Sequence, residues 1–299
     1  MRFQYSLLAP RHWPSWIGIG ITVLFGNLPA SVARPIAHGL GRLLRVLARG
    51  RVRVARRNLE LCLPGIDAAQ HAQLLKQSFA SIGEGAYEFA RAWWGSTRGL
   101  LASPVDGLET LAEYRRQGRG VLLLSGHFLT LEICGRLLCR HIKLAGFYRR
   151  HQQPALEWAV KRGRSRYAIA MFAREELRAA IRHVKQGGVL WYAPDQDIRG
   201  KDSVFAPFFG IQANSFAATH HLARLTGAAV VPFFHHRDGN GGYVMRIGAA
   251  LENFPTDDVI ADTTAVNGLI EQMVREAPEE YLWIHKRFKT RPEGEASLY

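Results

Sequence analysis

Cysteine is scarce in this chain of 299 residues: only Cys62, Cys134 and Cys139 occur, and they form no C-x-x-C pair. An odd, scattered set argues against a disulfide framework and fits a reducing compartment. Acidic residues and lysine are both missing from the first 59 positions, where ten arginines fall. No G-x-x-x-x-G-K-[ST] loop and no G-x-G-x-x-G after a strand-forming run is present, which removes the nucleotide chemistry built on those loops. Internal repeats and low-complexity tracts are also lacking, so a solenoid or a disordered chain is excluded. What remains is 47% hydrophobic and 21% charged, a globular composition long enough for one large domain or two small ones.

The net charge of +14 is local, because residues 1–59 supply +10 of it. Eight of the arginines lie between Arg34 and Arg57, directly after the uncharged stretch Trp13 to Ala33, WPSWIGIGITVLFGNLPASVA. Three readings fit that stretch. It is long enough to span a bilayer, which takes about 20 apolar residues, although Pro14, Asn27 and Pro29 interrupt it. It also suits an interfacial helix, with Trp13 and Trp16 at the headgroup level and Arg42, Arg45 and Arg49 against anionic lipid. A cleaved signal peptide ending at Ser31-Val32-Ala33 is the third reading. Dense positive charge just after an apolar segment tends to stay in the cytoplasm, which opposes secretion and favours spanning or interfacial anchoring. The expectation is a membrane-associated protein whose body is cytoplasmic. Residues 1–57 form the anchor and Arg-rich helix, and residues 58–299 form an α/β domain.

Apolar positions at Leu40, Leu43, Leu44 and Leu47 give the Arg-rich stretch 35–60 a helical spacing, broken by LPGID at 63–67. Residues 68–95 read as a further helix. From about residue 119 the texture changes to short apolar runs after turn residues: GVLLLS (120–125), KLAGFYR (143–149), GGVLWYA (187–193), GAAVVPFF (227–234) and GYVMRIG (242–248). Helical patterns separate several of them, at 128–140, 155–168, 174–186, 214–226 and 262–277. Alternating strands and helices predict a mainly parallel central sheet flanked by helices. Ligands of such sheets sit beyond the carboxyl ends of the strands. His127 and the APDQD at 193–197 both fall at such ends.

A neutral imidazole at His127 can take a proton from an attacking hydroxyl. Glu132 is the acid in reach to orient it, but five residues along a helix turn through about 140°, so the two share no helix face. The pairing requires His127 to lie in the turn before the helix and bend back over its first turn. A loop histidine beside a solvated glutamate is the plainer alternative. Ser125 lacks the G-x-S-x-G elbow of a serine hydrolase. His220-His221 and His235-His236 show no metal-ligand spacing, and adjacent side chains on a strand point to opposite faces, so no metal is expected. KRGRSR at 161–166 reads either as a solvated helix face or as a clamp for phosphate or an oxyanion. Asp195 and Asp197, after an aromatic-rich strand, need partners if buried, and Arg164 is a charge complement.

Together HFLTLE, GRSR, WYAPDQD, VFAPFFG and LWIHKRFKTRPEG resemble the lipid A biosynthesis lauroyl/myristoyl acyltransferases, the late acyltransferases of Kdo-lipid A assembly. The likeness runs from LLAPRHWPSW (7–16) through RRNLELCLP (56–64) to Tyr299. It implies a glycerol-phosphate-acyltransferase-like α/β fold and an O-acyltransferase needing no cofactor. An acyl chain, lauroyl or similar, would move from acyl carrier protein to a 3-hydroxyacyl chain of a Kdo-bearing lipid A precursor. The work would be done at the cytoplasmic side of the inner membrane, with the N-terminus as anchor. By the same resemblance His127 and Glu132 match the His-x4-acid motif, Arg164 an arginine needed for activity, and Asp195 the aspartate after the YAP strand. One stretch departs: Tyr148-Arg149-Arg150-His151-Gln152-Gln153-Pro154 stands where relatives often read Tyr-Arg-Pro and then Asn-x-Asn-Pro. Two other classes compete: a membrane-associated thioesterase or hydrolase, and a non-enzymatic binder of anionic lipid or nucleic acid. The binder's arginine cluster abuts an apolar anchor, and that reading leaves the Asp- and Glu-bearing sheet edge unexplained, so nucleic acid is not expected as a partner.

Overall fold

The computed structural model describes residues 4–97, 100, 103–198, 200 and 202–299. Its first third is helical. α1 (Trp13–Asn27) stops at the extended Leu28 that Pro29 imposes, and α2 (Ala30–Leu47) and α3 (Arg49–Cys62) are separated only by Ala48. α4 (Ala68–Trp93) starts with a capping box: Asp67 accepts from the Gln70 N–H, and the Gln70 side chain accepts from the Asp67 N–H. α2 crosses α4 backbone against backbone. A Cβ on Gly83 would lie 1.9 Å from the Ala37 carbonyl oxygen, and one on Gly41 would lie 2.2 Å from that of Phe79. Glycine at both positions is what lets the two helices close, over a seam of buried Ala33 and Ala37.

The remaining two thirds alternate. In chain order come β1 (Val105–Asp106), α5 (Leu108–Arg116), β2 (Val121–Leu124), α6 (Leu131–Leu138), β3 (Leu144–Tyr148), α7 (Pro154–Arg164), β4 (Ala170–Ala173), α8 (Leu177–Lys185) and β5 (Val189–Tyr192). Then follow β6 (Ser203–Phe208), β7 (Ile211–Phe216), α9 (Ala218–Thr226), β8 (Ala229–Arg237), β9 (Tyr243–Ile247) and α10 (Val259–Glu276). A seven-stranded sheet has the order β1-β9-β8-β2-β5-β3-β4. All its neighbours are parallel except β8 and β9. β2 is central and fully buried, and its side chains divide by the strand period of two. Leu122 and Leu124 enter the core with Leu190 and Val230; Val121 and Leu123 enter the opposite one with Trp191 and Val231. The sheet is therefore covered on both faces, as the continuous aliphatic runs predict.

Several expectations shift. The helix expected over 128–140 begins at Leu131, which leaves Ser125–Thr130 as a turn beyond β2. The stretch 203–216 folds as the antiparallel β6–β7 hairpin, so the helix expected from 214 starts at Ala218. Residue 57 lies inside α3, so the expected boundary there is no break in the chain's local structure. Among the described residues no helix is long and apolar enough to cross a membrane. α1 has 15 residues, about 22 Å at 1.5 Å per residue, against a hydrocarbon core of about 30 Å. The helix α1 rests on the body instead: Ile19 is buried against Ala155 and Ala159 of α7.

Candidate active site

β2 and β5 are parallel neighbours, with Leu124 paired to Tyr192. His127 and Asp195 each lie three residues beyond their paired strand end, so the register delivers them side by side. The Asp195 carboxylate accepts the His127 backbone N–H through Oδ2 at 2.9 Å and meets Nδ1 through Oδ1 at 2.6 Å. Asp195 is almost wholly buried, whereas 33% of the His127 side chain stays open, on the cavity described below. Tyr281 also donates its hydroxyl to Asp195. The turn is held from its other side by the C-terminal segment. Leu282 N–H donates to the His127 carbonyl at 3.1 Å, and Leu129 N–H donates to the Glu280 carbonyl at 2.9 Å. Gly126 makes room for this: a Cβ there would sit 2.8 Å from the Phe128 ring and 3.1 Å from Ile270.

A carboxylate only accepts, so the His127 proton is at Nδ1 and the lone pair is at Nε2. Nε2 has no hydrogen-bond partner among the described residues. Burial disfavours imidazolium, but the Asp195 charge and hydrogen bond outweigh it and raise the His127 pKa above its ordinary value. Burial also opposes the Asp195 charge, and His127 overcomes that, holding the carboxyl well below the usual range.

Glu132 occupies a different pairing from the one its spacing suggested. It starts α6 and is bound by donors from the ends of two other helices and the turn that follows. Trp93 Nε1 of α4 donates at 2.8 Å, the Tyr167 hydroxyl at 2.8 Å, and Arg164 Nε of α7 at 3.1 Å, with Arg164 Nη2 closing the pair. Burial raises a carboxyl here, yet Arg164 and the neutral donors prevail and lower its pKa. The expected His127–Glu132 hydrogen bond is thus replaced by two separate pairs, His127–Asp195 and Glu132–Arg164. The reason is geometric: on α6 the Glu132 carboxylate faces α4 and α7, while His127 turns toward β5. Arg164 likewise does not neutralise Asp195. Trp93 and Tyr167 carry no spacing signal; they are recognisable only after α4 and α7 are packed. A Cβ on Gly163 would fall 2.7 Å from the Trp93 ring, so glycine there permits that approach.

His127, Glu132 and Arg164 line one cavity of about 1390 Å³, with Asp195 buried behind His127; it is larger than the roughly 300–1,000 Å³ of ordinary small-ligand sites. Phe89, Leu131, Leu144, Met171 and Ile181 give it apolar walls, and Arg149, Arg174 and Lys289 give it a basic margin. The altered loop after Tyr148 contributes Arg149 and His151. Elsewhere, Trp13, Ile17, Ile21 and Leu24 form an exposed apolar stripe along α1, and Ile36, Leu40, Leu43 and Leu47 form one along α2. Arg42, Arg45 and Arg49 are exposed beside it. Trp16 differs from Trp13: its Nε1 donates to the Leu7 carbonyl at 2.7 Å and its ring packs on Trp158 of α7.

A histidine lone pair on a large cavity with apolar walls suits chemistry on a hydrophobic group. Residues 1–290 match the family described as Bacterial lipid A biosynthesis acyltransferase, and the chain belongs to it. It is similar to the Lipid A biosynthesis palmitoleoyltransferase of Escherichia coli (strain K12), 38% identical over 100% of this chain and 98% of that one. It is equally similar, at 38% over 100% and 98%, to the Lipid A biosynthesis lauroyltransferase of the same strain. The Lipid A biosynthesis myristoyltransferase there is 28% identical over 99% and 93%. Among solved structures, the 1-acyl-sn-glycerophosphate (LPA) acyltransferase PlsC from Thermotoga maritima aligns over 84% of this chain and 98% of its own. Its TM-score is 0.37 and its identity 12%.

Proposed function

We propose that this lipid A acyltransferase takes a fatty acyl chain, lauroyl or close to it, from acyl carrier protein. The acceptor is the hydroxyl of a 3-hydroxyacyl chain on a Kdo-bearing lipid A precursor. The single observation that carries the mechanism is the His127–Asp195 pair, which leaves the Nε2 lone pair of His127 at the cavity. That nitrogen removes the acceptor's proton as its oxygen attacks the thioester carbonyl. The tetrahedral intermediate then collapses, the C–S bond breaks, and the imidazolium returns its proton to the departing sulfur. General base action of this kind contributes about 10²–10⁴ in rate. Asp195 holds the imidazole in the required tautomer and stabilises its charged form. The Glu132–Arg164 pair is a positioning element in the cavity wall. Arg164 Nη1, which has no hydrogen-bond partner among the described residues, offers a donor to anionic oxygen of the substrate.

Membrane attachment is part of the same reading. The stripes of α1 and α2 suit the interfacial layer, and Arg42, Arg45 and Arg49 suit anionic headgroups on the cytoplasmic side of the inner membrane. The test is purified protein with acylated carrier protein and detergent-dispersed lipid A precursor, the product read by mass spectrometry. Wild type is expected to add one acyl chain, and folded His127→Ala to add none. Free fatty acid released at the same rate without acceptor would instead mark a hydrolase.

A further inference from the structure

The C-terminal stretch Leu282–Thr290, LWIHKRFKT, carries part of the family likeness and has no part in the chemistry so far. It lines the cavity through Leu282, His285, Lys289 and Thr290. Leu282 binds the His127 carbonyl, and His285, whose N–H donates to the Leu282 carbonyl at 3.1 Å, lines the cavity together with Lys289. The protonation of His285 follows from one contact: the backbone N–H of Asp197 points at its Nε2 at 3.1 Å. A backbone N–H can only donate, so Nε2 is the unprotonated nitrogen and the ring proton is at Nδ1. Burial favours the same neutral form and lowers the His285 pKa, against the opposing pull of the Asp195 charge.

The ring is also fixed in place. The His285 carbonyl accepts Asn58 Nδ2 at 2.7 Å. Asp197 is tied by Asn214 Nδ2 at 2.8 Å and by the Thr290 N–H at 2.6 Å. Nδ1 itself has no hydrogen-bond partner among the described residues. A rigid, uncharged donor therefore stands at the cavity next to the turn that carries the base.

We propose that His285 is a second catalytic residue, whose Nδ1–H donates to the thioester carbonyl oxygen as that oxygen becomes an oxyanion. This rests on the reading of His127 as the base. The two imidazoles are wired in opposite senses. His127, with Nδ1 tied to Asp195, presents a lone pair; His285, with Nε2 tied to Asp197, presents a proton. Attack by the acceptor oxygen pushes the C=O pair onto the carbonyl oxygen, where His285 binds it. Collapse returns that pair to re-form C=O as the C–S bond breaks, and the sulfur takes its proton from His127. His285 keeps its proton throughout, so a neutral ring suffices.

His285→Phe keeps a ring without a donor, while His285→Asn places an amide N–H near the position of Nδ1. With acylated carrier protein and lipid A precursor, His285→Phe is expected to lower kcat by about 10²–10³. KM for either substrate should stay within about threefold, and His285→Asn should regain at least about tenfold of kcat, since a donor is restored. Nitrogen-15 NMR of histidine-labelled wild type at pH 7, with the His285 signals identified by their loss in His285→Asn, should show the neutral Nδ1–H tautomer. This readout is independent of activity and of how well the Phe variant folds. The Nε2–H tautomer, an imidazolium, wild-type kcat in folded His285→Phe, or a change in KM alone would each overturn the assignment. If wild type transfers, His127→Ala does not, and His285→Phe does, this assignment falls and the reading of the reaction stands. If wild type transfers nothing, both fall.

Discussion

Asp195 accepts from one residue twice, through the His127 N–H and its Nδ1–H, and again from the Tyr281 hydroxyl. The carboxylate therefore fixes the ring's direction, tautomer and charge at once. Because it raises the His127 pKa, the base form fills only as pH climbs through a value above about 6.5. Activity should accordingly show an acidic limb above that value. Asp195→Asn removes the raising charge, so the limb should move to lower pH while plateau kcat falls by about 10²–10⁴. A pH–rate profile of both proteins checks this, and an unmoved limb would show that His127 does not set it. Both residues contribute stability, with opposite dependence on pH. That of His127 is complete below its unfolded pKa and is lost as pH rises through the folded one. That of Asp195 is present above about 3.9 and is lost as pH falls through its depressed folded value.

At the scale of elements, Glu132 and Arg164 join the start of α6 to the end of α7, and Trp93 brings in the end of α4. Glu132 is only 8% exposed, so the partners of its carboxylate decide whether the charge is tolerable. Arg164→Ala leaves a buried charge unpaired, which costs on the order of 3–5 kcal/mol. Glu132→Gln added to that variant removes the orphaned charge and should restore part of the stability. Urea unfolding of the two single variants and the double variant measures this, and simple additivity would show that the pair is not a unit. The pair's contribution should fade in acid, because the depressed Glu132 pKa keeps it intact above about 4.3 and lets it go as pH falls through the folded value.

For the whole molecule, the decisive contrast lies within α1. One face is buried on α7, through Ile19, Ala155 and Ala159, while the opposite face leaves Ile17, Ile21 and Leu24 in the open. Deleting the segment would strip the body of packing, so charge substitution is the cleaner test of membrane attachment. Each apolar side chain entering the interface gains about 1.5–3 kcal/mol when fully buried, and each nearby arginine about 1 kcal/mol at an anionic surface. Ile21→Asp with Leu24→Asp should weaken binding to anionic vesicles by at least about tenfold. The residual binding should be salt-sensitive, because screening acts on the arginine contribution and leaves the apolar one standing. Co-sedimentation at low and high salt reads both effects. Binding of the wild type that washes off in salt alone would mean that the stripe makes no apolar contact.

Local sequence was enough for the features that depend on neighbours along the chain. Short apolar runs of four or five residues bounded by turns determine β2, β3 and β5 and the parallel sheet, and the continuous aliphatic character of β2 determines its central place. His127 and Asp195 at strand ends, and the arginine cluster beside an apolar stretch, were equally legible. What no local pattern decided is which charged groups meet. Glu132 is five residues from His127, yet the helix carries it to Arg164, 32 residues away. Asp195 is 68 residues from His127, yet the Leu124–Tyr192 register sets them together. That register is readable by aligning LLLSGH with LWYAPD once the two strands are known to be neighbours, and adjacency is a property of the folded sheet. The packing of α1 on α7 and the tautomer of His285 belong to the same class. Each depends on a contact between distant segments, which only burial and hydrogen bonding in the assembled molecule select.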